Sequence, residues 1–158
     1  MLKLIAKLFG TKSEKDIKRI MPLVDQTRLE GEKLKNLSND NLRAETRKVQ
    51  DQINAELKNI DDQIAALHQK IADNPTLDIH AKEEVFQEID TLEEDRNKEL
   101  EKVLLKVLPQ AFAIVRETAR RFKENEYLEV TAQDYDRIFS MGREHIKIEG
   151  DKAKWHNK

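Results

Sequence analysis

The sequence predicts a mainly α-helical fold: a long antiparallel helical hairpin, several shorter helices and a small β-hairpin near the C-terminus. Of the 158 residues, 38% are charged and only 5% are aromatic, whereas an average domain carries about 25% charged residues. A chain this polar can bury only one narrow apolar stripe on each long helix. Two such stripes flank an Asn-Pro loop, and alternating apolar residues flank a Gly-Asp turn.

Length and charge distribution indicate one region rather than several domains. A chain of 158 residues is enough for one domain, and its net charge of −2, with both signs interspersed, does not indicate disorder. We therefore treat residues 1–158 as a single region with five parts. These are an amphipathic helix (1–9), a kinked helix (14–36), a helical hairpin (39–108), a buried helix (109–125) and a short helix with a β-hairpin (127–158).

Composition excludes several classes of function. The sequence has no cysteine, which excludes disulfides, thiolate metal sites and cysteine nucleophiles and fits a reducing compartment. No apolar run approaches the ~20 residues of a membrane span. Lys3 and Lys7 interrupt the apolar start, so it is not a secretory signal. The near-neutral charge argues against a nucleic-acid partner.

The first nine residues predict an amphipathic helix with basic flanks. In the first 19 residues, six basic side chains face two acidic ones, a net charge of about +4. Such a segment can lie on an anionic bilayer or dock on a partner; packing against its own core, or fraying, is an equal alternative. The candidate docking residues are Leu2, Lys3, Leu4, Ile5, Lys7, Leu8 and Phe9.

The next helix is predicted from capping and breaking residues. Ser13 and Asp16 resemble a capping box, which starts a helix near Glu14. Pro22 is expected to kink or divide this helix, since proline removes a backbone donor. Gly31 is expected to weaken or end it.

Two apolar seams predict the helical hairpin. After a cap at Ser38 the first seam has steps of three and four residues: Val49, Ile53, Leu57, Ile60, Ile64, Leu67 and Ile71. Residues 74–78 break the helix, and Asp78 caps the next one. The second seam is Val85, Ile89, Leu92, Leu100, Val103 and Val107. Arg96 interrupts it, and we expect its stem to pack and its head to reach water.

The C-terminal third combines helix and strand signals. Pro109 either starts a new helix or kinks a continuing one, and residues 110–125 form the most apolar helix, which we expect to be the best buried. Residues 128–131 predict a short strand. Residues 132–141 predict a short helix that Gly142 ends, with Tyr135, Ile138 and Phe139 on its dry side. Residues 145–149 and 152–155 predict a β-hairpin around a Gly-Asp turn.

No complete catalytic apparatus is found. The four glycines form neither of the phosphate-binding patterns, G-x-x-x-x-G-K-[ST] or G-x-G-x-x-G. The four histidines (His68, His80, His145 and His156) lack metal-motif spacing and are interpreted as surface residues. The carboxylates between Glu83 and Glu101 are interpreted as a charged exterior. We predict no catalytic, cofactor-binding or metal-binding residue in this chain.

Four ordered segments resemble the amino terminus of the SecA family, the ATP-driven motors of bacterial protein export. They are Phe9-Gly-Thr-Lys-Ser13, Ile20-Met-Pro-Leu-Val-Asp25, Leu37-Ser-Asn-Asp-Asn-Leu-Arg-Ala-Glu-Thr46 and Leu108-Pro-Gln-Ala-Phe-Ala-Ile-Val-Arg-Glu-Thr-Ala-Arg-Arg121. The last segment is the most specific. The hairpin at 53–107 and the segment 127–155 depart from shorter family members and look like insertions.

The resemblance implies an N-terminal segment of a longer motor. It implies membrane and channel docking by the first helix, and helices that support the first nucleotide-binding domain. ATP and Mg would belong to the full-length parent, whose nucleotide motifs lie further along. The implied partners are a SecYEG-type channel, anionic phospholipid, preprotein and a second copy, at the inner face of the plasma membrane.

The sequence leaves two other interpretations open. A free-standing coiled-coil adaptor would use the hairpin at 42–108 as its binding surface and would have a gene ending near Lys158. A small enzyme using the acidic helix is the third reading. It is disfavoured because a solvated helix face does not separate two carboxyl pKa values as a catalytic pair requires.

Overall fold

A computed structural model describes residues 12–157 and confirms the predicted fold class. Three long helices come first: α1 (Lys12–Leu34), α2 (Asn39–Asp73) and α3 (Ile79–Glu124). A small α/β segment follows, made of β1 (Tyr127–Thr131), α4 (Asp134–Ser140), β2 (Ile146–Glu149) and β3 (Lys152–His156). The predicted helix at 1–9 lies outside the described residues. No described helix is both long and apolar enough to cross a membrane.

The chain divides into two compact units. Residues 47–107 form one, here called the hairpin unit. The other, the terminal unit, contains residues up to Thr46 and from Leu108 onward, of which 12–46 and 108–157 are described. The helices α2 and α3 each contribute to both units.

In the hairpin unit, the seam predicted from the sequence forms the buried strip. Leu57, Val85, Ile89, Val103 and Val107 are buried, and the other seam positions are half-buried. Their three- and four-residue spacing keeps them on one face of each helix. Burying one such side chain stabilises the hairpin by about 1.5–3 kcal/mol.

The turn of the hairpin is fixed by side chains that bond to its backbone. The Asp78 carboxylate accepts a hydrogen bond from the His80 amide (3.1 Å), which confirms it as the cap of α3. The Asn74 amide group donates to the Lys70 carbonyl (2.8 Å), and Lys82 donates to the Pro75 carbonyl (2.9 Å). The Asp78 and Asn74 bonds satisfy backbone groups that the helix ends leave without partners, and the Lys82 bond fixes the loop between them.

Two ion pairs join the helices of the hairpin. Arg96, at the position where the apolar seam is interrupted, pairs with Asp61, and Lys106 pairs with Glu56. The Arg96 head is partly exposed, but it has a specific partner that the sequence did not indicate. The hydrogen bond that Arg96 donates to Asp61, and the negative charge of Asp61, raise the pKa of the Arg96 guanidinium.

The cap predicted for α1 at Ser13 is wrong, and of the alternatives given for Pro22 and Gly31, neither division nor termination of the helix occurs. Lys12 is already helical, so Ser13 lies inside the helix and does not cap it. Pro22 lies within one uninterrupted helix rather than dividing it. Gly31 does not end the helix, because three residues later Leu34 packs into the core with Leu42 and Ala113. Burial of Leu34 therefore outweighs the roughly 1 kcal/mol helix penalty of glycine.

Likewise, α3 runs through Pro109 to Glu124, so Pro109 does not start a new helix. Residues 110–125, which we expected to be the best-buried helix, have one buried side and one exposed side. Ala113 is buried, but Phe112 is 57% exposed and Val115 is also exposed. The buried side of this helix also carries the charged residues Glu117 and Arg121. Ile114 packs against the core, whereas Phe112 and Val115 face outward.

The three strands form an antiparallel sheet in the order β1-β3-β2. Glu149 pairs with Lys152, which leaves Gly150 and Asp151 as the two-residue turn of the predicted β-hairpin. Gly150 has φ +63°, the left-handed conformation that such turns require. The strand predicted at 128–131 pairs with β3 and places Leu128 and Val130 on the buried face.

We expect Leu57→Ala to lower the free energy of unfolding of the hairpin unit by about 2–4 kcal/mol, because it leaves a cavity in the seam. Urea denaturation followed by circular dichroism at the helix band measures this loss. Leu105→Ala is the matched control, since Leu105 is exposed on α3, and its effect should stay within about 0.5 kcal/mol. Equal effects of the two substitutions would contradict this packing.

Candidate functional site

The docking residues predicted from the sequence are Leu2, Lys3, Leu4, Ile5, Lys7, Leu8 and Phe9. All of them lie outside the described residues, so their role stays a prediction. Within residues 12–157, a group of hydrogen-bonded polar side chains lies in the terminal unit, where α2 begins beside the α/β segment.

Asp136 is the centre of this polar group. It is the third residue of α4, and its side chain is completely buried, with 0% of its surface exposed. Its carboxylate reaches back to accept a hydrogen bond from the Gln133 amide (2.8 Å), which fixes the start of α4. The short helix therefore turns a carboxylate inward, where the sequence predicted an apolar face.

Three further hydrogen bonds reach the same carboxylate. Arg43 donates to both oxygens in bidentate fashion, at 3.0 and 2.9 Å. The Trp155 indole nitrogen donates the fourth bond, at 3.0 Å. Arg43 also donates to the Thr131 carbonyl (3.2 Å), and its guanidinium carbon lies 5.0 Å from the centre of the Tyr135 ring. We call Arg43, Asp136 and Trp155 the Asp136 clamp.

The clamp is suited to holding structure rather than to proton transfer. A carboxylate that accepts four hydrogen bonds has its acceptor positions filled, so no lone pair is left for a substrate. Bidentate arginine–carboxylate pairs are among the strong side-chain hydrogen bonds and add geometric specificity. The clamp therefore fixes α4 and β3 to the first turns of α2.

Two more side chains of α2 bond to the backbone of edge strand β1. Asn39 donates to the Glu129 carbonyl (3.0 Å), and Asp40 accepts from both the amide and the hydroxyl of Thr131 (2.8 Å each). Partial burial of Asp40 acts against ionisation, but the Thr131 bonds and nearby cations outweigh it and lower the pKa of the Asp40 carboxyl. Backbone groups at the outer edge of β1, which could otherwise pair with another chain, are therefore bonded to side chains of α2.

A second buried ionic group ends α1. Arg121 donates to the Leu34 carbonyl (3.0 Å), to the Asn39 side-chain oxygen (2.8 Å) and to Glu117 (2.8 Å). Arg120 also donates to Glu117, at 2.7 and 2.9 Å. Hydrogen bonds from Arg120, and then from Arg121, lower the pKa of Glu117 to about 2, although burial opposes the shift. Glu117 is therefore held ionised at neutral pH.

An apolar groove of about 270 Å³ opens beside the clamp. Arg43 and Asn39 supply polar groups at its wall, and no group of acidic or histidine side chains within the described residues could hold a metal ion. The other residues that line it are Leu42, Thr46, Ile114, Thr118, Phe122, Leu128, Val130, Tyr135 and Trp155.

The histidines partly follow the prediction. His68 and His80 are exposed as predicted, whereas His145 and His156 are half-buried. The Nε2 atom of His156 is buried and has no hydrogen-bond partner in the structure. The His156 ring lies 5.4 Å from that of Tyr127, between ring centres.

Sequence reasoning did not find Arg43, Asp136 or Trp155 as a group. The buried face predicted for the short helix is wrong. Ile138, Tyr135 and Phe139 are exposed, because the face of α4 that carries Asp136 is the buried one. One weak local signal was available: Gln133 and Asp136 have the three-residue spacing of a capping box, although the usual residues there are Ser or Thr and then Glu or Gln. Nothing local indicates the partner, since Arg43 lies 93 positions away.

The geometry of the terminal unit defines a helical scaffold closed by buried ion pairs, with no array of reactive groups among residues 12–157. Comparison with known proteins identifies the scaffold. The family model described as the SecA DEAD-like domain matches residues 5–134. The chain therefore belongs to the SecA DEAD-like domain family, which confirms the resemblance seen in the sequence.

Curated relatives agree along the whole chain. The protein translocase subunit SecA of Cytophaga hutchinsonii is 53% identical over 158 residues, all of this chain. The corresponding subunit of Amoebophilus asiaticus is 48% identical over 157 residues, and that of Phocaeicola vulgatus is 42% identical over 154. In each case the chain spans 14% of the relative's length. No solved structure matches the chain.

We expect Asp136→Ala to destabilise the terminal unit by about 3–5 kcal/mol, because it leaves Arg43 and the Trp155 indole without their partner. The measurement is urea unfolding followed by the fluorescence of Trp155, which is the single tryptophan of the chain. Asp134→Ala, at an exposed position of the same helix, is the control. If Asp136→Ala lowered the free energy of unfolding by less than about 1 kcal/mol, the clamp would not be needed for the stability of the terminal unit.

The terminal unit should lose stability in acid as Glu117 takes up a proton. The pKa of Glu117 is lowered from 4.5 to about 2, so its contribution is complete above about pH 4.5 and is lost as the pH falls toward 2. Glu117→Gln should flatten this part of the stability profile, again followed through Trp155. Glu126→Gln, at an exposed position, should leave the profile unchanged. If the unsubstituted protein and both variants gave the same stability profile, the acid sensitivity could not be assigned to Glu117.

Proposed function

We propose that this chain is the N-terminal segment of a SecA-type protein-export ATPase, where it docks the motor and supports its first nucleotide-binding domain. The observation that carries this proposal is the family match over residues 5–134. The relatives named protein translocase subunit SecA, which align with nearly the whole chain, support it further.

In this proposal the parent protein couples ATP hydrolysis to preprotein translocation. ATP and Mg would be bound by residues outside this chain, since its glycines form no phosphate-binding pattern. The fragment itself is not proposed to be an enzyme. A SecYEG-type channel, anionic phospholipid and preprotein are the proposed partners, and the parent is proposed to work at the cytoplasmic face of the plasma membrane.

Docking is assigned to the basic amphipathic N-terminus. Residues 1–9 supply Leu4, Leu8 and their apolar neighbours together with two lysines. In the described part of the chain, α1 continues the same character, because Ile17, Ile20 and Met21 are exposed beside the exposed Lys18 and Arg19. Exposed apolar residues next to cations are what an anionic lipid surface attracts.

The supporting role is assigned to the last turns of α3. Phe112 and Val115 are exposed on the outer side of this helix, while its inner side is fixed by Glu117 and Arg121. Exposed large apolar residues on a rigid helix provide a packing surface for further chain. The proposed occupant is the first nucleotide-binding domain of the parent.

We expect the 158-residue chain to bind phosphatidylglycerol vesicles and to release them as salt rises, since its lysines interact with lipid charge. Leu4→Glu and Lys7→Glu should each weaken vesicle binding about tenfold. The first removes an apolar side chain and the second a positive charge, and both add a negative charge that anionic lipid repels. Co-sedimentation with the vesicles measures this.

Leu105→Glu and Lys70→Glu are the matched controls, because they make the same chemical changes at exposed positions of the hairpin unit. They should leave vesicle binding within about twofold. Binding that ignores salt, or that responds equally to all four substitutions, would contradict docking by residues 1–9.

A further inference from the structure

One flank of α3 in the hairpin unit has a character of its own. Residues at steps of three and four lie on the same side of a helix, and here they define a line roughly 100° around α3 from the buried seam. All of its members are exposed. We call it the α3 flank: Ile79, Glu83, Phe86, Asp90, Glu93, Asn97, Glu101 and Leu104.

Large apolar side chains are exposed along this flank. Ile79 is 73% exposed, Phe86 is 48% exposed, and Leu104 is exposed near the other end. The hairpin already buries its seam through Val85 and Ile89, so the packing of α2 against α3 does not need these residues. Exposed apolar side chains near both ends of a helix flank, beside a completed seam, give a further helix a place to pack.

The charges of the flank are of one sign and lack basic partners. Elsewhere on α3, Asp95 pairs with Lys98 and Glu99 with Lys102. Among residues 12–157, no ion pair within 4 Å involves Glu83, Asp90 or Glu101, and Glu93 is attracted to Arg96 only at longer range. No lysine or arginine lies on the flank.

The hairpin unit as a whole is also acidic. Residues 47–107 contain 15 acidic and nine basic side chains, a net charge of −6. On the flank, Asp90 and Glu93 are three residues apart, a spacing at which side chains are neighbours and like charges repel. Cations of a bound partner would relieve that repulsion. An anionic membrane or a nucleic acid would increase it.

We propose that the α3 flank is a docking surface for a basic amphipathic helix of a partner protein. This helix would carry Lys or Arg every three or four residues between apolar side chains. The three- and four-residue spacing extends from position 79 to position 104, and a helix is the partner element that can keep that register over such a length. Its cations would face Glu83, Asp90 and Glu101, and its apolar residues would cover Ile79, Phe86 and Leu104.

The test uses the 158-residue chain and a fluorescein-labelled peptide of roughly 20 residues, built from Leu at seam spacing and Lys beside it. Fluorescence anisotropy measures the Kd. The double variant Glu83→Gln/Asp90→Asn should weaken binding about tenfold, and Phe86→Ala should weaken it at high salt as well. A peptide with Glu in place of Lys should not bind.

Matched controls change the same charge and the same kind of residue away from the flank. Glu84→Gln/Glu88→Gln lies on another side of α3 and should change the Kd less than about twofold, as should Leu105→Ala. Circular dichroism checks that helix content is unchanged. Equal weakening by both double variants would reduce the effect to net charge and overturn the proposal. So would self-association of the chain that the flank variant abolishes, because a second copy would then occupy the flank.

Discussion

The ion pair between Arg43 and Asp136 is the contact on which the terminal unit depends. The small sheet and α4 have few large buried side chains: Leu128, Val130, Ile146 and Ala153 are the buried apolar residues of the strands. A small sheet needs a hydrophobic face or a helix packed against it to be stable, and the hydrophobic face of this sheet is narrow. The clamp provides the helix contact by fixing α4, β3 and the end of β1 to the first turns of α2.

Much of the fold follows from local patterns in the sequence. The hairpin seams, the cap at Asp78 and the Gly-Asp turn depend on residues close together in the chain, so periodicity and turn chemistry were enough to predict them. The ends of α1 could not be predicted in this way. There, burial of Leu34 and its bond from Arg121 override the local effect of Gly31.

The candidate site was the least predictable part, for a physical reason. Buried ion pairs join residues far apart in the chain, and a single sequence of 38% charged residues offers too many equivalent candidates. Arg96 shows the same limit, because its snorkelling was expected but its pairing with Asp61 was not. In both cases a charged residue at an inward position had a specific partner on another element, which helps to fix the register of the elements that it joins.

The polar side chains along β1 also limit what the small sheet can become. An antiparallel sheet grows by adding strands at its two edges, and an open edge invites pairing with other molecules of the same protein. Here Asn39, Asp40 and Arg43 occupy the β1 edge. The opposite edge, β2, is only four residues long and carries Lys147. The sheet is therefore protected at one edge and short and charged at the other, features that disfavour fibril-like stacking.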